Sequence, residues 1–167
     1  MANKNLIIRT IVLITATVFF IILAITGTIK NNVNQEEKFI EISFQKIAEG
    51  PYGNINQKQT KIIKSSVEWA DFWTEMFPTQ MIASALNFID KIVIAILQGQ
   101  KPTGGYSIKI EKILDKEDYI EIIIKETLPE ENCFLTQFIT SPYFIATMKK
   151  SNKPLKFVIQ EEKFSCQ

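Results

Sequence analysis

The chain has 167 residues, a formal net charge of +1, two cysteines and no histidine. That length suits one globular unit, and 46% hydrophobic with 22% charged residues excludes a disordered or collagen-like chain. Near-neutral charge gives no electrostatic reason to bind nucleic acid, and the missing imidazole removes Ser-His-Asp and Cys-His triads and histidine-dependent zinc sites.

Isoleucine at 29 positions, and lysine as 18 of the 19 basic residues, mark an AT-rich genome rather than a mechanism. The single arginine, Arg9, argues against a bidentate phosphate or carboxylate clamp.

From Thr10 to Ile29 the chain runs twenty residues without a charge, TIVLITATVFFIILAITGTI. A hydrocarbon core about 30 Å thick needs ~20 helical residues, so residues 10–29 read as a transmembrane helix. A cleaved signal peptide is the rival reading. Its apolar stretch would be shorter, about 7–15 residues, and would end in a small-x-small site. Ala24-Ile25-Thr26 offers only a weak one, and no lipoprotein cysteine follows. Lys4 and Arg9 precede the span, which places residues 1–9 in the cytoplasm and the remainder outside. Residues 30–38 read as a linker. Beyond the span, 17 lysines face 18 acids, so no basic patch for lipid headgroups is expected.

Residues 39–167 read as an extracytoplasmic α+β domain. Ile40, Ile42 and Phe44 alternate with polar residues, which predicts a strand over 39–48. Gly50-Pro51-Tyr52-Gly53-Asn54 ends it, and a short strand over 60–64 follows. Ser65 and Glu68 have capping-box spacing. Behind them Trp69, Phe72, Trp73, Met76 and Phe77 form one apolar stripe, predicting a helix over 66–77 that Pro78 ends. Such a stripe is read first as core against a sheet; an exposed aromatic binding face is the sharper alternative.

KIVIAIL at 91–97 suits a central strand covered on both faces. A loop over 98–105 leads to a strand over 106–114 whose alternation slips by one residue, predicting a β-bulge near Glu111 and Lys112. Asp115 to Asp118 make a turn, and 119–126 returns as a strand. A loop over 129–132, a short strand over 134–139 and a final hairpin of 143–149 with 155–160 complete the reading. Short sequential strands joined by tight turns predict a mainly antiparallel sheet, a meander, with one packed amphipathic helix.

Few residues suggest chemistry. Asp115, Glu117 and Asp118 lack the glycine and distal glutamate of a calcium loop. Glu130-Glu131 read as a charged loop, and Gly104-Gly105 lacks the Lys-Ser/Thr ending of a P-loop. No metal, cofactor or catalytic set is expected, although carboxylates brought together by the fold would make an envelope enzyme the rival function. Cys133 and Cys166 could pair outside the cytoplasm or remain two free thiols. A bridge would close a loop of about 34 residues, contributing about 4 kcal/mol from chain entropy.

Two further segments stand out. Pro102-Thr103-Gly104-Gly105-Tyr106 combines a stiff approach with two conformationally free glycines, and Thr140-Ser141-Pro142-Tyr143 leads into another strand. Both read as turns anchoring strand starts; alternatively the two loops meet as a recognition surface. The order of strand, Ser-Ser-Val-Glu-Trp helix, apolar strand, Gly-x-x-Pro-Thr-Gly-Gly-Tyr-Ser-Ile and Thr-x-Pro-Tyr resembles the PrcB-like domain family across about 39–150. The resemblance implies a non-catalytic extracytoplasmic accessory protein that associates with and stabilises a secreted or surface protease. It points to Pro102, Thr103, Gly104, Gly105, Tyr106, Thr140, Pro142 and Tyr143 as partner-binding residues. A protease inhibitor presenting the Pro102 to Tyr106 loop is a variant of the same reading. Members of the family are often lipid-anchored, so a helical tether is a departure.

Overall fold

The computed structural model describes residues 39–79 and 85–166. The expected membrane span at 10–29 and linker at 30–38 lie outside the described residues. Among the described residues, no helix is long and apolar enough to cross a membrane.

Among the described residues, eight strands form two four-stranded sheets. The first sheet holds β1 (Ile40–Glu41), β5 (Ser107–Asp115), β6 (Ile120–Pro129) and β8 (Leu155–Phe164), in that spatial order. The second holds β2 (Phe44–Gly50), β7 (Tyr143–Lys149), β4 (Lys91–Leu97) and β3 (Gln59–Ile63). One helix among the described residues, α1 (Ser66–Met76), lies on the second sheet.

The continuous apolar run of β4 has a direct cause. Ile92, Ile94 and Ile96 face the first sheet, where they pack with Ile108, Ile110, Ile113, Ile122 and Ile124. Val93, Ala95 and Leu97 face the helix and pack with Trp69, Phe72 and Met76. Alternate residues of a strand point to opposite faces, so a strand covered twice needs apolar residues throughout.

The helix starts as its sequence dictates. Glu68 N–H donates to Ser65 Oγ at 3.2 Å, and Lys64 N–H donates to the Glu68 carboxylate at 2.8 Å. Trp69, Phe72 and Met76 are buried against the sheet, so the aromatic stripe is core rather than an exposed binding face. The expected bulge is also present: the β5–β6 register shifts between Ile110 and Lys112.

The single antiparallel meander is corrected in three places. The strand expected over 39–48 is divided between the sheets. Ile40 and Glu41 pair with β5, whereas Phe44 onward pairs with β7. Ile42 N–H still donates to Ile113 C=O at 2.8 Å, so the chain changes sheets at Ser43. Ile42 and Phe44 both pack into the inter-sheet core, and a switch between sheets keeps their burial intact.

The final hairpin does not form. β7 lies in the second sheet, and β8 crosses to the first, pairing parallel with β6 from Ile120↔Leu155 to Pro129↔Phe164. The crossing is fixed at its start. Ile120 N–H donates to Pro154 C=O at 2.9 Å, and Lys153 Nζ bonds the Asp115 carboxylate at 2.5 Å and Lys116 C=O at 2.8 Å. Finally, residues 134–139 are not a strand of either sheet.

Candidate functional site

Three connections converge at one end of the sandwich: 50–58, 98–106 and 133–143. Lys101 and Thr140 form an antiparallel bridge, with Lys101 N–H to Thr140 C=O at 2.7 Å and the reverse bond at 3.0 Å. The Thr140 hydroxyl donates to Thr103 C=O at 2.9 Å. Gly104 N–H donates to Thr136 C=O at 3.0 Å. The two loops singled out in the sequence therefore meet.

Gly104 and Gly105 serve this contact directly. A Cβ on Gly104 would lie 2.5 Å from Thr136 Oγ1. Gly105 has φ +85°, and a Cβ there would meet Leu135 Cδ2 at 3.0 Å. The pair lets 135–136 approach a backbone that any side chain would hold away. Pro102 and Gly105 are exposed at the surface, and Lys101 Nζ lies 5.4 Å from the Tyr106 ring centre.

Thr140, Ser141 and Pro142 are buried. Ser141 is hydrogen-bonded on three sides: its N–H donates to Pro51 C=O at 2.7 Å, its C=O accepts from Gly53 N–H at 2.9 Å, and its hydroxyl bonds Asn56 at 3.0 Å. Pro142 C=O accepts from Gln98 N–H at 2.9 Å. Tyr143 lies away from the 102–106 loop, with its ring 5.3 Å from that of Phe77. Burial pushes its phenol pKa upward, and the nearby Glu49 carboxylate adds to the shift. Of the eight residues, Pro102 and Gly105 are exposed, Thr140 and Pro142 are buried, and Thr103, Gly104, Tyr106 and Tyr143 are half-buried.

Cys133 and Cys166 form a disulfide with Cα atoms 5.2 Å apart. Glu130 N–H donates to Phe164 C=O at 3.1 Å, so the bridge and β8 hold the stretch that presses on Gly104 and Gly105. Among the described residues, Glu126 is the buried carboxylate. Lys58 Nζ lies 2.7 Å from its Oε1 and 2.9 Å from its Oε2, and only the second contact has hydrogen-bond geometry. Gln98 donates through Nε2 to Thr127 C=O at 3.4 Å, while its buried Oε1 has no partner among the described residues.

Leu135, Thr136 and Asn56 were not singled out by sequence reasoning, and Ser141 entered it only as part of the 140–143 turn. Their roles depend on which loops the two sheets bring together, and a single loop sequence carries no signal for that. Neither a curated protein nor a solved structure matches the chain. A family match covers 92–149, which runs from the second residue of β4 to the end of β7 and includes the joined loops. Those residues match the PrcB C-terminal domain family.

Proposed function

We propose that this chain is a non-catalytic accessory protein, tethered by Thr10 to Ile29 to the cytoplasmic membrane, whose extracytoplasmic domain stabilises or localises a protein partner such as a surface protease. The observation that carries the reading is the braced loop pair at Lys101–Thr140, which fixes the exposed Pro102 and Gly105 on a rigid sheet end. The disulfide supports an oxidising location outside the cytoplasm. The PrcB C-terminal domain supports the accessory role by family analogy.

The test is deletion of the protein followed by quantification of envelope proteins, with crosslinking in intact cells to identify the partner. The crosslinked partner should fall in abundance on deletion, and a Pro102→Asp variant should reproduce the loss. An unchanged partner level overturns the stabilising role. Purified protein that inhibits a protease, and loses that inhibition on replacement of 102–106, would identify the inhibitor variant of this reading instead.

A further inference from the structure

Residues 134–139, FLTQFI, run from Cys133 to Thr140 without helix, turn or bend. One edge of this segment is tied to the domain through Thr136 and Thr140, which bond to Gly104 and Lys101. In an extended chain, the N–H and C=O of one residue point to one edge and those of its neighbours to the other. Thr136 and Thr140, four residues apart on one edge, fit an extended segment that turns the backbone groups of Leu135, Gln137 and Ile139 away from 101–104. Among the described residues, no amide of 134–139 donates to another backbone group. On the outward edge, Leu135 C=O accepts from the side-chain amide of Gln137 at 3.1 Å, a bond that a strand partner can replace.

Proteins guard bare edges with charge. The outer strands here follow that rule: β8 carries Lys156, Glu161, Glu162 and Lys163, β2 carries Lys46 and Glu49, and β3 carries Lys61. Residues 134–144 carry no charge at all. Phe134 is 104% exposed, Phe138 67% and Ile139 63%. The disulfide and the Lys101–Thr140 bridge already hold both ends, so pairing along this edge orders little additional chain.

The geometry points to strand addition between two copies of this chain through residues 134–139. The outward edge consists of Leu135, Gln137 and Ile139, so a two-fold antiparallel pairing centres on Gln137. This register sets Leu135 against Ile139 of the second copy, apolar against apolar. The two Gln137 side chains meet at the axis, where each amide both donates and accepts. Phe138 lies opposite Thr136, with the phenylalanines of both copies on one face, and no like charges oppose each other. An interface this short associates reversibly, so the dimer depends on concentration.

The experiment uses the full chain in mild detergent. Sedimentation across a concentration series should show a monomer–dimer equilibrium. Phe138→Lys should abolish the dimer without changing the circular dichroism spectrum or melting temperature. Directly opposed residues in such a pair sit about 5.5 Å apart, within disulfide range. Gln137→Cys should therefore crosslink two chains at least about tenfold faster than Gln160→Cys on the exposed face of β8. Peptide mapping confirms that Cys133–Cys166 stays intact. A monomer at every concentration, a dimer that survives Phe138→Lys, or equal crosslinking at 137 and 160 would each overturn the pairing. The proposal is independent of the accessory role, which a strictly monomeric protein could still perform.

Discussion

The space between the sheets and the loop end of the sandwich are held by different physics. Between the sheets, isoleucines from β4, β5 and β6 interlock with Phe144, Ala146 and Met148 of β7. The contacts are non-directional, and their strength follows buried area. At the loop end, backbone bonds, two close glycines and a disulfide fix the geometry while leaving Pro102, Gly105 and Phe134 in solvent. Stability is concentrated in the first region and shape in the second. A variant in the core should therefore unfold the whole domain, and one at the loop end should loosen the rim first.

The largest expected effect tests the first half of that contrast. Ile122 is fully buried in the inter-sheet core. Ile122→Ala should cost about 2–5 kcal/mol, read as a lower urea midpoint with all spectroscopic probes shifting together. If the loop end lost its order at lower urea than the core, the two regions would not unfold as one cooperative unit.

Removing the bridge comes next. Cys133→Ser with Cys166→Ser should cost about 2–4 kcal/mol. The location of the change matters more than its size. Hydrogen exchange should accelerate at Gly104 and Thr140, whose amides bond across the cluster, before it changes in β4. Uniform acceleration across the domain would show that the disulfide supports the fold generally rather than the loop end.

Gly105→Ala sharpens the comparison within the cluster itself. The left-handed backbone and the close Leu135 side chain both oppose a methyl group. The expected cost is about 1–2 kcal/mol. Exchange at the Gly104 amide should rise while the burial of Ile122 is unaffected.

The same contrast explains what could be read from the sequence. The cap at Ser65 and Glu68, the aromatic stripe of α1, the doubly covered β4 and the bulge after Ile110 all depend on neighbours within a few residues. Sheet membership does not. A period-two pattern fixes which face of a strand is buried but not which strand lies beside it. The alternation of 155–160 therefore fitted a hairpin with β7 as well as the parallel edge on β6 that the fold adopts. Pro102 to Tyr106 and Thr140 to Tyr143 were legible through their turn residues. Leu135 and Thr136 were not, because their meaning comes from two glycines some thirty positions earlier.

The smallest expected effect lies where the two regions join, at Tyr143, the first residue of β7. Burial, reinforced by Glu49, raises its phenol pKa above the usual value of about 10. Below pH 10 the phenol is neutral whether the chain is folded or not, so it makes stability no function of pH. Above pH 10 the unfolded chain loses this proton while the folded protein keeps it, and linkage then favours unfolding. The contribution is fully present below the unfolded pKa and is lost as pH rises through the folded one. Tyr143→Phe should therefore leave the pH profile unchanged near neutrality and make the fall in melting temperature above pH 10 shallower. An equally steep fall in the variant would place the alkaline loss elsewhere. Tyr143 would then join the loop end to the core through its strand pairing and its packing against Phe77, with no contribution from its ionisation.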